Sequence, residues 1–269
     1  YTLRALGGRA PDPDALVEAR KREALQMVAL HALPHMAHKQ LWDTLDVSYF
    51  MRHQADEIAW HTRVLSRELA RTGRDTDKCI VRARLSPEGE GLQVLVYAPD
   101  QPDLFARICG YFDNAGFSIL DARIHTTHTG HALDTFQVVA PTLSEHYRAL
   151  TAMVENDLAQ AIDQRGPLPA PSKGRLSRRV KSFPITPRVD LRPDEKAQRW
   201  LLSVSASDRA GLLYCITRVL ARYDVSVQLA KITTLGERVE DTFLISGSQL
   251  QMNKRQIEIE TELLETLEG

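Results

Sequence analysis

The chain is short of cysteine, of net charge and of long apolar runs, and each shortage removes a class of protein. Three cysteines, Cys79, Cys109 and Cys215, are scattered through 269 residues. They match no metal-ligand spacing, and an odd, sparse set fits a reducing compartment better than a disulfide scaffold. The expected location is therefore cytoplasmic. Formal net charge is −1, so no whole-molecule field recruits nucleic acid or an anionic membrane. No apolar run is long enough to cross a bilayer, and no signal peptide is recognisable. Catalytic signatures are missing as well. There is no phosphate-cradling GxxxxGK loop, no Ser/His/Asp or Cys/His pattern, and no carboxylate pair of catalytic type. The chain opens on Tyr1 and turns helical almost at once, which reads as part of something longer.

What is present is a pattern that occurs twice. Asp100 aligns with Asp208, Leu104 with Leu212, Ile108 with Ile216, Ser118 with Ser226, Ala122 with Ala230 and Ile124 with Ile232. One residue closer, Asp134-Thr135-Phe136 meets Asp241-Thr242-Phe243. A repeat of this length is a duplicated domain rather than a solenoid unit. Two copies of a small module point to a paired binding surface more than to a single catalytic cleft.

Residues 1–73 read as helices. Asp12-Pro13-Asp14 combines a capping acid with proline at the first helical position. Pro34 ends or kinks that helix. A second helix is expected over Met36–Leu45 and a third over Ala55–Leu69, with an apolar knot at Ser48–His53 between them. Each repeat then reads strand, helix, strand, turn, strand, helix. The first gives strand 92–98, helix 104–115, strands 118–127 and 132–139, and helix 143–163. The second gives strand 200–206, helix 211–223, strands 225–234 and 240–246, and helix 253–267. This order is most of a ferredoxin-like βαββαβ sandwich, which needs one more strand. The run Phe183, Ile185, Val189, Leu191 is the candidate last strand of the first copy, its prolines marking an edge. Cys79–Leu85 is the candidate to complete the second. The fold class expected is α+β: two ferredoxin-like modules, 74–195 with a preceding strand and a linker, and 196–269, behind a helical segment.

The loop Asp208-Arg209-Ala210-Gly211-Leu212 joins a strand end to a helix start. Gly211 lets a ligand approach the backbone, and free amides at a helix start favour an anion such as an α-carboxylate. Asp208 can cap the helix and also face an α-ammonium group. The matching loop carries Asp100 and Gln101, but Asp103 stands where the second copy has Gly211, so the first loop is expected to be the weaker. His125, His128 and His131 straddle a turn and read as polar turn residues rather than metal ligands. His31, His35 and His38 are interrupted by Pro34, with no acid or cysteine to complete a site. The basic run Lys173, Arg175, Arg178, Arg179 and Lys181 reads as a solvated linker.

These modules resemble ACT domains, on the D-x-x-G-L-L loop at Asp208–Leu213 and the strand–turn–strand that follows. The segments Ala230–Phe243, Tyr97–Phe105, Ser48–His53 and Ala59–His61 further resemble the C-terminal part of the bacterial protein-PII uridylyltransferase/uridylyl-removing family. That resemblance implies tandem ACT domains behind the tail of an HD-type region. It implies sensing of L-glutamine, with Asp208, Arg209, Ala210, Gly211 and Leu212 as the site and Asp100 and Gln101 contributing. It also implies a parent enzyme that adds UMP to the nitrogen-regulatory PII protein and removes it, with Mg2+ expected for the parent and no cofactor in this chain. The family's Gly-Ser/Asp-x-Asp motif and its His-Asp pair are missing here, so the chain itself is expected to be inactive and regulatory. Homo-oligomerisation stays open. Two rivals are kept: a regulatory fragment with another amino-acid ligand, and a pair of RNA-binding modules. The latter is disfavoured because Val94, Val96, Leu202 and Val204 occupy the strands where stacking aromatics are needed.

Overall fold

The computed structural model describes residues 12–31, 33–72, 77–87, 89, 91–140, 147–172, 185–194, 198–235 and 237–268. The basic run at 173–181, together with Phe183, lies outside them. The chain divides into two compact units, residues 1–76 with 127–130, and residues 77–126 with 131–269. Among the described residues no helix is long and apolar enough to cross a membrane.

The first unit is helical. Helix α1 (Pro13–Ala29) starts as its sequence dictates: Asp12 accepts the Asp14 N–H, and Pro13 fills a position that needs no donor. Helix α2 (Ala37–Trp42) is short. The expected apolar knot is itself a helix, α3 (Val47–Arg52), because Asp46 caps it by accepting the Tyr49 N–H at 3.1 Å. Helix α4 (Ala55–Thr72) buries Ile58, Leu65 and Leu69 on one stripe. The Tyr49 hydroxyl meets His61 Nδ1 at 2.7 Å in the interior of this unit.

The second unit is built on one antiparallel sheet. Its elements are β1 (Ile80–Leu85), β2 (Leu92–Pro99), α5 (Leu104–Asn114), β3 (Ser118–Arg123), β4 (His131–Val139) and α6 (Tyr147–Asp163). The second copy follows with β5 (Arg188–Pro193), β6 (Trp200–Ser207), α7 (Leu212–Arg222), β7 (Ser226–Lys231), β8 (Thr234–Leu235), β9 (Arg238–Ser246) and α8 (Asn253–Glu268). Strand order is β1-β2-β4-β3-β7-β9-β6-β5, with β8 pairing β9 off this path. The architecture is therefore mixed α+β, as expected.

Both edge-strand assignments need correction. Cys79–Leu85 was expected to complete the second copy, but β1 pairs β2 of the first. The run 183–191 was expected to complete the first copy, but β5 pairs β6 of the second. Each copy thus takes its edge strand from the chain that precedes it. A ferredoxin-like module takes it from the chain that follows. The position in the sheet is the same, so the connectivity is a circular permutation of βαββαβ.

The repeat extends to irregularities. β3 has a register shift between Ile119 and Asp121 against β4, and β7 has one between the aligned residues Val227 and Leu229 against β9. The two copies join where β3 pairs β7, with Ala122 opposite Ala230. These are aligned residues facing each other in an antiparallel pair, so the copies are related by a local two-fold axis. Both alanines are buried. The core runs unbroken through both copies, from Val94, Phe112 and Phe136 to Ile216, Phe243 and Leu263.

The outer edge of β1 is closed by side chains. Glu155 Oε1 accepts the Ala83 N–H at 2.8 Å, and Asp163 Oδ1 accepts the Cys79 N–H at 2.9 Å. Helices α5 and α7 pack at a notch: a Cβ on Gly110 would lie 2.7 Å from the Tyr214 ring. We expect Gly110→Ala to destabilise the chain by about 1–3 kcal/mol through overpacking. Thermal denaturation checks this, and Tyr214→Leu in the same chain should recover part of the loss.

Candidate functional site

The second loop forms one wall of a cavity of about 260 Å³. Strand β6 ends at Ser207, and the Asp208 N–H donates to Glu237 O at 2.8 Å, which fixes the turn. Gly211 precedes α7 with φ +76°, a left-handed conformation that other residues rarely adopt. Asp208, Arg209, Ala210, Gly211 and Leu212 all line the cavity. Asp100 and Gln101 do not. The opposite wall comes instead from the end of α5 and the start of β3: Cys109, Asp113, Gly116, Phe117 and Leu120. Ile232, Val239 and Asp241 of the second copy also line it, as does Tyr214.

The local two-fold axis explains this wall. The antiparallel β3–β7 junction sets the second loop against the end of α5 in the first copy rather than against the first copy's loop. Asp113 is brought in this way, while Asp241 comes from β9 of the loop's own copy; sequence reasoning selected neither. Asp113 is decisive, because a Cβ on Gly211 would lie 2.9 Å from its Oδ1 and 3.2 Å from Oδ2. The glycine gap that the sequence leaves open for an incoming carboxylate therefore already faces one.

Charge in the cavity is divided. Asp113, Asp208 and Asp241 supply carboxylates, and Arg209 supplies the cation. Asp241 is buried and its Oδ1 accepts the Thr233 N–H at 3.1 Å. Burial pushes its carboxyl up to about 6, with the nearby Asp208 charge adding to the rise. Asp208 is also held above the ordinary carboxylate range, first by partial burial and then by Glu237, while the Arg209 backbone N–H opposes the shift. The Arg209 guanidinium donates to Thr266 O at 2.5 Å, and its Nε has no hydrogen-bond partner.

The first copy repeats the aspartate arrangement without the opening. Asp134 is buried and accepts the His125 N–H at 3.2 Å, and burial holds its carboxyl well above the usual range. Asp100 accepts the Thr126 hydroxyl at 2.9 Å. Asp103, in the place of Gly211, pairs with Arg107 at 2.5 Å, and Arg107 Nη1 also donates to Gly166 O at 2.7 Å. That corner is stapled shut by its own side chains.

A short stretch, residues 164–172, runs along the α5–α7 seam and is held at three points. Arg107 holds Gly166 O, the Tyr214 hydroxyl donates to Pro169 O at 2.6 Å, and Asp113 accepts from Ser172. The Ser172 N–H lies 2.8 Å from Asp113 Oδ2, and its hydroxyl 2.6 Å from Oδ1.

Other candidates do not assemble. Among the described residues, no group of three or more His, Cys, Asp and Glu is placed to hold a metal ion. His131 stacks on Tyr97 at 5.0 Å, His128 is exposed, and His31 pairs with Arg63 at 2.9 Å. Burial raises all three cysteine thiols, so none is an activated nucleophile. Val94, Val96, Leu202 and Val204 face the core, and the opposite face of β6 carries Leu201, Ser203 and Ser205, which offer no stacking platform.

The chain is similar to known proteins over almost its whole length. Residues 12–64 match the family model described as uridylyltransferase GlnD fifth domain. A bifunctional uridylyltransferase/uridylyl-removing enzyme from Ralstonia nicotianae is 57% identical over 99% of this chain, which spans 31% of that protein. Proteins of the same name from Cupriavidus pinatubonensis and Burkholderia thailandensis are each 54% identical over 99% of this chain, which spans 31% and 30% of them. The crystal structure of an unknown protein from Galdieria sulphuraria covers 71% of this chain at 13% identity, with a TM-score of 0.24, and bears no weight. By these matches the chain corresponds to a C-terminal portion of bacterial bifunctional uridylyltransferase/uridylyl-removing enzymes, of whose length it spans about a third.

Proposed function

We propose that this chain is the glutamine-sensing region of an enzyme that adds UMP to the PII protein and removes it. The observation that carries the reading is the cavity between the two copies, with aspartates and one arginine in opposite roles. A free α-amino acid is a compact zwitterion, and this lining offers both complements. In this reading the copies are ACT domains, with residues 188–193 assigned to the second because β5 pairs there. Arg209 and the first amides of α7 receive the α-carboxylate. Asp208 faces the α-ammonium, as the sequence leads one to expect. A volume near 260 Å³ lies below the roughly 300–1,000 Å³ of pockets for drug-sized ligands, as suits a small metabolite.

Occupancy of a cavity lined by both copies favours one arrangement of the copies over others. Coupling of about 1–3 kcal/mol is enough for useful regulation. Uridylyl transfer, its reversal, PII binding, the Mg2+ expected for the parent and a cytoplasmic location belong to the whole enzyme in this proposal. Among the described residues, no group of three or more His, Cys, Asp and Glu is placed to hold Mg2+.

Calorimetry with L-glutamine tests the reading directly. The chain should bind it, and Asp208→Ala should weaken binding about tenfold, or about 1.4 kcal/mol. No heat with glutamine, beside stabilisation by a different amino acid in a thermal-shift screen, would transfer the site to that ligand. The pH dependence has a definite sign. Asp241 titrates at about 6 in the fold, above the roughly 3.9 of an unfolded aspartate. The fold therefore favours the protonated form, and the stability Asp241 contributes falls as pH rises toward and through 6. An ammonium ligand favours the ionised form. Glutamine affinity should rise across the same window in the wild type and stay flatter in Asp241→Asn.

A further inference from the structure

We propose that Asp113, supplied by the first copy, selects for the ligand's α-ammonium group, and that its engagement releases Ser172 and with it the stretch 164–172. The inference rests on the amino-acid reading of the same cavity and adds a residue and a route of transmission to it.

Three observations converge on Asp113. Its carboxylate lies at the gap left by Gly211, on the cavity wall opposite the loop. Its hydrogen bonds are with Ser172, through the backbone N–H at 2.8 Å and the hydroxyl at 2.6 Å. Ser172 is uncharged, and a neutral hydroxyl is a weaker partner for a carboxylate than a cation. Arg209 lines the same cavity with an unpartnered Nε, which gives the other end of a zwitterion its complement. Both copies must be present for the site to be complete.

The consequence for residues 164–172 follows from their three attachments. Two of the anchoring residues, Asp113 and Tyr214, also line the cavity. A ligand ammonium on Asp113 competes with Ser172 for the same oxygens. Occupancy then loosens the end of this stretch while Arg107 continues to hold Gly166. The cavity is thereby linked to the segment that leaves α6.

The test compares L-glutamine with glutaramate, which lacks the α-amino group. Calorimetry should show the wild type preferring glutamine. Asp113→Asn is nearly isosteric and should weaken glutamine binding about tenfold, the loss expected of one hydrogen bond to a charged group, while leaving glutaramate almost unchanged. Ser172→Ala removes the hydroxyl competitor and should tighten glutamine binding about twofold or more. Hydrogen exchange on the wild type needs no variant: glutamine should speed exchange at the Ser172 amide. A wild type that binds neither compound overturns the amino-acid reading and this proposal with it. A wild type that binds glutamine, beside an Asp113→Asn chain with unchanged affinity and unchanged preference, overturns the role of Asp113 alone. Unaltered exchange at Ser172 together with no gain in Ser172→Ala overturns the release of the stretch.

Discussion

The antiparallel contact between β3 and β7 governs the rest of this unit. With Ala122 opposite Ala230, the two copies share one sheet, and α5 and α7 share one side of it. The small side chains at the junction let the backbones meet. The Gly110 notch then lets the Tyr214 ring seat between the helices. From that crossing Tyr214 reaches Pro169 O, and Asp113 is carried to the mouth of the Gly211 loop. The cavity is a by-product of this geometry. Neither copy encloses it alone.

The local two-fold axis is broken where the chemistry differs. Gly211 leaves a gap in the second loop, whereas Asp103 and Arg107 fill the corresponding corner of the first. Asp113 aligns with Ala221 and has no acidic counterpart. Duplication therefore conserved the scaffold, down to the matched register shifts of β3 and β7 and the buried Asp134 and Asp241. It differentiated the corners. The cavity is therefore lined unequally by the two copies, with the glycine corner from one and the Asp113 carboxylate from the other.

Much of this was legible in the sequence, for physical reasons that can be named. The helices announced themselves by capping residues and by apolar period, and the inner strands by alternation. Gly211 and Asp208 stood out because glycine at a strand-to-helix corner marks a left-handed backbone or a close approach. The edge strands were misassigned because alternation in Cys79–Leu85 or Val189–Leu191 shows that a segment is extended without showing which neighbour it pairs with. Asp100 and Gln101 were included because matched loops invite the idea that they meet. The antiparallel junction instead sets the second loop against the end of α5. Asp113 and Ser172 were invisible, since residues 59 apart in the chain meet only through tertiary packing. The α3 helix was missed because six residues carry too little periodicity, although Asp46 at its start was a readable signal.

A sheet of eight consecutive strands has two ends, and an end strand normally invites a stranger. Here the outward amides at Cys79 and Ala83 are occupied by the carboxylates of Asp163 and Glu155. At the far end, β5 alternates Arg188, Asp190 and Arg192 before stopping at Pro193. A foreign strand arriving at the first border must strip two carboxylates from their donors, and one arriving at the second meets charge and a residue without a donor. The sheet can therefore lengthen through internal duplication, as it has done once, without seeding fibrous growth from its margins.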